Sequence, residues 1–74
     1  MIISSIIQWD NIQIDGRHSV REVHTDDVGN VFTYDYMADV GADVNAVMLA
    51  RVPDVTAASD ALEAQQALAA GGVS

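Results

Sequence analysis

Apolar and polar positions alternate in short runs between Ile12 and Tyr36, IQIDGRHSVREVHTDDVGNVFTYDY. A period of two is the signature of a half-buried strand, and the block reads as three short strands joined by two turns. Asp15-Gly16 predicts a two-residue type I′ hairpin turn, in which both central residues need positive φ. Asp26-Asp27-Val28-Gly29-Asn30 predicts a longer turn, with Asp and Asn accepting local backbone hydrogen bonds and Gly supplying positive φ.

The two-residue turn sets a register: Ile14 opposite Arg17, Ile12 opposite Ser19, and Asp10 opposite Arg21 as a cross-strand ion pair. One face then carries Ile12, Ile14, Arg17, Ser19, Arg21 and Val23. The other carries Trp9, Asn11, Gln13, His18, Val20, Glu22 and His24, and neither face is cleanly apolar. In the third strand Phe32, Tyr34 and Tyr36 share one face, either packed under the following helix or offered to a partner.

Upstream, Ile2, Ile3, Ile6 and Ile7 suit a strand by residue type, and their doublet spacing puts apolar groups on both faces. Residues 1–8 are read either as a first strand of this domain's own sheet or as an arm that adds to a neighbour's sheet edge. Downstream the period changes. Val44, Val47, Met48 and Val52 make a helical stripe over residues 42–52, with Asp43 placed to cap it, Arg51 in its last turn and Pro53 ending it. Residues 56–70 form an alanine-rich helix with two large apolar residues, Leu62 and Leu68, and Gly71-Gly72 as its stop. The expected fold class is α+β, a single small domain over 1–74. It comprises a three- or four-stranded antiparallel β-meander, centred on 9–37, and one or two C-terminal helices.

Composition narrows the function. A 74-residue chain buries a small core and is marginal alone. With no cysteine it has no disulfide to make up the deficit, which leaves a partner or self-association. Eleven acids against three arginines give a net charge of −8, a poor match for phosphate backbones or anionic membrane surfaces. The apolar start, Met1 to Trp9, is far shorter than the ~20 residues a membrane span needs and has no basic leader.

Candidate chemistry is sparse. His18, Glu22 and His24 share a strand face, but residues six apart on a strand stand ~20 Å apart, too far to grip one metal ion. The serines have no nucleophile elbow around them. There is no phosphate-binding glycine loop, and no lysine for Schiff-base chemistry. No catalytic residue, cofactor, metal or small-molecule substrate is expected.

The run DGRHSVREVHTDDVGNVFTYDYMADVGADVNAVMLARV resembles short open reading frames found among the virion genes of tailed bacteriophages. Asp15-Gly16-Arg17, Arg21 to Asp26, Gly29, Phe32 to Tyr36 and Ala42 to Ala46 carry the likeness. The resemblance implies a non-enzymatic structural or accessory part of a particle, in tail, baseplate, neck or capsid. Such a part is made in the bacterial cytoplasm and contacts other virion proteins or copies of itself. The interface residues expected are Ile2, Ile3, Ile6, Ile7, Phe32, Tyr34, Tyr36, Leu62 and Leu68. The alternative is a small acidic adaptor or inhibitor that binds a basic protein.

Overall fold

The computed structural model describes residues 1–71. It has three strands, β1 (Ile2–Ile12), β2 (His18–Asp26) and β3 (Val31–Ala38), followed by one helix, α1 (Val44–Gly71). The sheet is antiparallel in the order β1-β2-β3, and α1 lies across one face, closer to β1 and β2 than to β3. The fold is therefore α+β, a β-meander followed by one helix.

Both hairpins share a construction, longer than the two-residue turn expected of Asp15-Gly16 and in keeping with the longer turn expected of Asp26 to Asn30. In the first, Gly16 N–H donates to the Gln13 carbonyl (2.9 Å) and Gln13 N–H to the Arg17 carbonyl (2.8 Å). In the second, Gly29 N–H donates to the Asp26 carbonyl (3.3 Å) and Asp26 N–H to the Asn30 carbonyl (3.0 Å). Each is a three-residue loop closed by a glycine in the left-handed region, Gly16 at φ +86° and Gly29 at +91°. A type I′ turn would also need positive φ at Asp15, and only glycines adopt it among the described residues. Asp15 instead accepts the Arg17 N–H (3.1 Å) and Nε–H (2.7 Å).

The extra loop residue shifts the register by one. Ile12 faces His18 and Asp10 faces Val20, so the expected Asp10–Arg21 pair does not form. Asp10 meets His18 Nδ1 at 2.7 Å, and Arg21 makes a bidentate pair with Asp35. Residues 2–7 pair with β2, but as the first half of the same strand that carries Asp10 to Ile12, so the sheet has three strands. Strand alternation divides each apolar doublet between faces, and irregularities between Ile2 and Ser4, and between Ile7 and Trp9, reset that alternation along β1. Ile2 and Ile7 turn inward and are half-buried, while Ile3 and Ile6 are exposed.

The helix also departs from expectation. Asp43 caps it as read, accepting the Ala46 N–H at 3.1 Å. Pro53 does not end it, because the chain stays helical through to Gly71. Pro53 removes the N–H that Leu49's carbonyl needs, but both residues are exposed, so water can satisfy that carbonyl. Val44, Met48, Val55 and Ser59 are buried at helical spacing, and the last two anchor the segment beyond the proline. Arg51 consequently stands mid-helix, not in a last turn. The expected stop at Gly71-Gly72 falls partly outside the described residues. Val20, Ala38 and Val44 form the core cluster, with Ile7, Tyr36 and Ala42 packed against it.

Two outcomes follow. Pro53→Ala restores one helical hydrogen bond at an exposed position and should raise stability by ~1–3 kcal/mol in urea denaturation. Removing residues 1–7 strips the pairing from Glu22 to Asp26 and should abolish the cooperative unfolding transition. That result would exclude a detachable arm.

Candidate functional site

Side chains on β2 alternate, so Val20, Glu22, His24 and Asp26 point to the face that α1 covers. All four are buried, with Glu22 and His24 fully sealed from solvent. A polar row under a helix is costly unless every group finds a partner. Here each does, and the partners come from all four elements.

Glu22 is the hub. Its Oε1 accepts from His24 Nε2 (2.9 Å) and its Oε2 accepts from the Tyr36 hydroxyl (2.8 Å). Arg51, from α1, stands against the same carboxylate as an ion pair, not as an aligned hydrogen bond. The Arg51 guanidinium lies over the rings of Tyr34 and Tyr36, 4.8 and 5.1 Å from their centroids. On the other side of the ring, His24 Nδ1 and the Ser5 hydroxyl are hydrogen-bonded at 2.8 Å. Its ring meets Tyr34 edge-on, with centroids 5.7 Å apart.

Asp26 is the second anchor. Oδ1 accepts from the Val28 and Asn30 N–H groups (3.1 and 2.7 Å). Oδ2 accepts from Asn30 Nδ2 (2.8 Å) and from Ser59 Oγ on α1 (3.0 Å). Two turns further along α1, Gln66 exchanges two hydrogen bonds of 2.9 Å with Asn30. The terminal amine of Met1 sits among Asp27, Ser59, Asp60 and Glu63, and its pKa is raised to about 10, chiefly by Glu63.

The anchors match in spacing. Glu22 to Asp26 spans four strand residues, ~13 Å. Arg51 to Ser59 spans eight helical residues, ~12 Å. The helix therefore runs in the direction of β2 and can engage both carboxylates at once.

Electrostatics favour the charged forms. Burial pushes the Glu22 pKa up, but hydrogen bonds from His24 and Tyr36 and the charge of Arg51 outweigh it and leave it below the ordinary value. Burial likewise raises Asp26, and the Asn30, Ser59 and Val28 donors bring it below. The Tyr36 hydroxyl is pushed up to about 12 by burial and by its bond to Glu22.

Ser5, His24 and Glu22 form a hydroxyl–imidazole–carboxylate chain that the sequence reading missed. Its cue lies in extending β1 back to Ile2, which places Ser5 opposite His24. Two shallow depressions open on the surface. One is lined by Trp9, Ser19, Val20, Asp35, Tyr36 and Met37, the other by Gln13, Ile14, Asp15, Arg17 and Met37. Neither touches Ser5, His24 or Glu22. The chain of hydrogen bonds joins β1 to β2. Among the described residues no cluster of three or more His, Cys, Asp or Glu side chains could hold a metal ion, and no helix is long and apolar enough to cross a membrane.

The expected interface residues divide. Phe32, Tyr34, Tyr36, Ile2 and Ile7 are half-buried on the sheet face toward α1 and Leu62 is half-buried on α1, whereas Ile3, Ile6 and Leu68 are exposed. His24 is fully buried, while Phe32 is only half-buried. Histidine's polarity concealed its position in the core.

Glu22→Ala leaves Arg51, His24 and Tyr36 without their shared acceptor and should cost ~3 kcal/mol or more in chemical denaturation. The depressed pKa values of Glu22 and Asp26 fix the sign of the pH dependence. Their contribution is fully present above the ordinary values of 4.5 and 3.8 and is lost as pH falls through the lower folded values. Melting temperature should therefore drop steeply below about pH 4, and Glu22→Ala should flatten that slope.

No protein-family model, curated protein or solved structure matches this chain.

Proposed function

We propose that this chain is a non-enzymatic assembly component that works through protein–protein contacts, as a small structural part of a tailed-phage particle. The observation that carries the reading is where the apolar side chains sit. Among the described residues, five hydrophobic side chains are buried, whereas twelve large ones are exposed. A core that small is thin for a free domain, and exposed apolar groups in such excess mark a surface meant to be covered. The likeness of residues 15–52 to short virion open reading frames supports the setting. The buried polar row supports the non-enzymatic part of the reading, since its groups are spent on each other and sealed under α1.

The runner-up is an acidic adaptor or inhibitor of a basic protein, and the net charge of −8 favours it. Copy number separates the two. Quantitative mass spectrometry of purified particles should find the chain at a fixed, symmetry-related copy number. Its absence from intact particles would overturn the assembly reading and favour the adaptor.

A further inference from the structure

The sheet face turned away from α1 is open, and its composition is unlike the rest of the surface. Ladder positions place Ile6, Trp9, Val23, Val31 and Met37 there, among serines, threonines and Asn11. Its only charged side chains are Arg21 and Asp35, which lie opposite each other and pair at 2.6 and 2.8 Å. The face is therefore formally neutral, and the entire −8 is carried elsewhere. Trp9 lies under the Arg21 guanidinium, 4.0 Å from ring to cation. Depletion of charge around an aromatic, a methionine and an arginine is the composition of an interface core.

We propose that this face packs against the same face of a second copy of the chain, giving a helix–sheet–sheet–helix sandwich. The proposal rests on the reading that the chain acts through protein–protein contacts. Charge complementarity selects the occupant. A basic partner would be drawn to the acidic turns and helix, not to a neutral face. A two-fold axis between Arg21 and Asp35 sets each Arg21 against the Asp35 of the other copy, so the one charged pair on the face is self-complementary. Stacked sheets lie ~10 Å apart, with both helices and their acidic groups on the outside. The depression lined by Trp9, Ser19, Val20, Asp35, Tyr36 and Met37, of about 340 Å³, is open to receive a side chain from the opposite sheet.

Sedimentation equilibrium of the full chain tests this. The chain should be a dimer at micromolar concentration. Arg21→Asp and Asp35→Arg each make the face single-signed and should weaken self-association roughly a hundredfold, because like charges set against each other in an interface cost several kcal/mol. Both alter an exposed pair, so circular dichroism should show an unchanged fold. Mixing the two variants should restore a dimer containing one of each, since their faces are then oppositely charged. Leu68→Arg, on the exposed end of α1, should leave the dimer intact.

A chain that stays monomeric at high micromolar concentration would overturn the proposal. So would single variants that dimerise as well as the parent, or loss of the dimer on Leu68→Arg alone. Particle composition reports separately: a monomer found in particles sinks the dimer and keeps the assembly reading, while a dimer missing from particles does the reverse.

Discussion

Everything in this fold depends on keeping one carboxylate charged inside the protein. Glu22 is fully buried, and an ionised carboxylate removed from water is tolerated only when donors and an opposite charge replace its hydration. Those groups come from His24 on its own strand, Tyr36 on β3 and Arg51 on α1, and His24 is in turn held by Ser5 on β1. The requirement thus links every element. A strand slipped by one residue would turn Glu22 outward and strand Arg51 and Tyr36. The apolar core is too small to specify register with that stringency. Buried polar groups of this kind add little net stability against an apolar alternative, and here they supply register and helix placement instead.

Asp26 repeats the logic at the far end of β2. It completes the second hairpin through Asn30 and Val28 and then reaches Ser59. Because the two carboxylates match the helical separation of Arg51 and Ser59, α1 is aligned by two polar contacts, with Val55 sealed between them. This alignment lets a helix continue past Pro53. Local propensity favours a break there, but the residues beyond the proline have contacts only if the helix continues. At ~42 Å by rise, α1 is longer than the sheet beneath it, so residues 67–71 are all exposed.

Much of the architecture was legible in the sequence. The alternation from Ile12 to Tyr36, the glycine turns, the Asp43 cap and the helical stripe at Val44 and Met48 lead to the meander and its helix. What failed was decided by long-range terms. Asp15-Gly16 fits both a two-residue and a three-residue hairpin, and the choice depends on φ at Asp15, which composition leaves open. Pro53 is a strong local stop signal overruled by Val55 and Ser59. Glu22, His24 and Asp26 alternate with Val20 on one strand face, a pattern equally fitting for a solvated face. Only the positions of Arg51 and Ser59 on the covered side of a single continuous helix show that the row lies inside.

The result is a sheet whose two faces are specialised in opposite senses. The covered face holds ions and pairs its buried carboxylates internally. The open face holds almost no net charge and satisfies little. In a chain with eight surplus negative charges, random placement would put several acids on the open face. Apart from Asp35, which Arg21 pairs, the acids lie in the turns, along the helix and its cap, and on the covered face, and this gives repulsion a direction: copies approaching through their acidic sides repel, while approach through the neutral sheet face carries no such penalty. A small acidic protein built this way can stay dissolved at high concentration and still present one surface on which apolar contact prevails over charge.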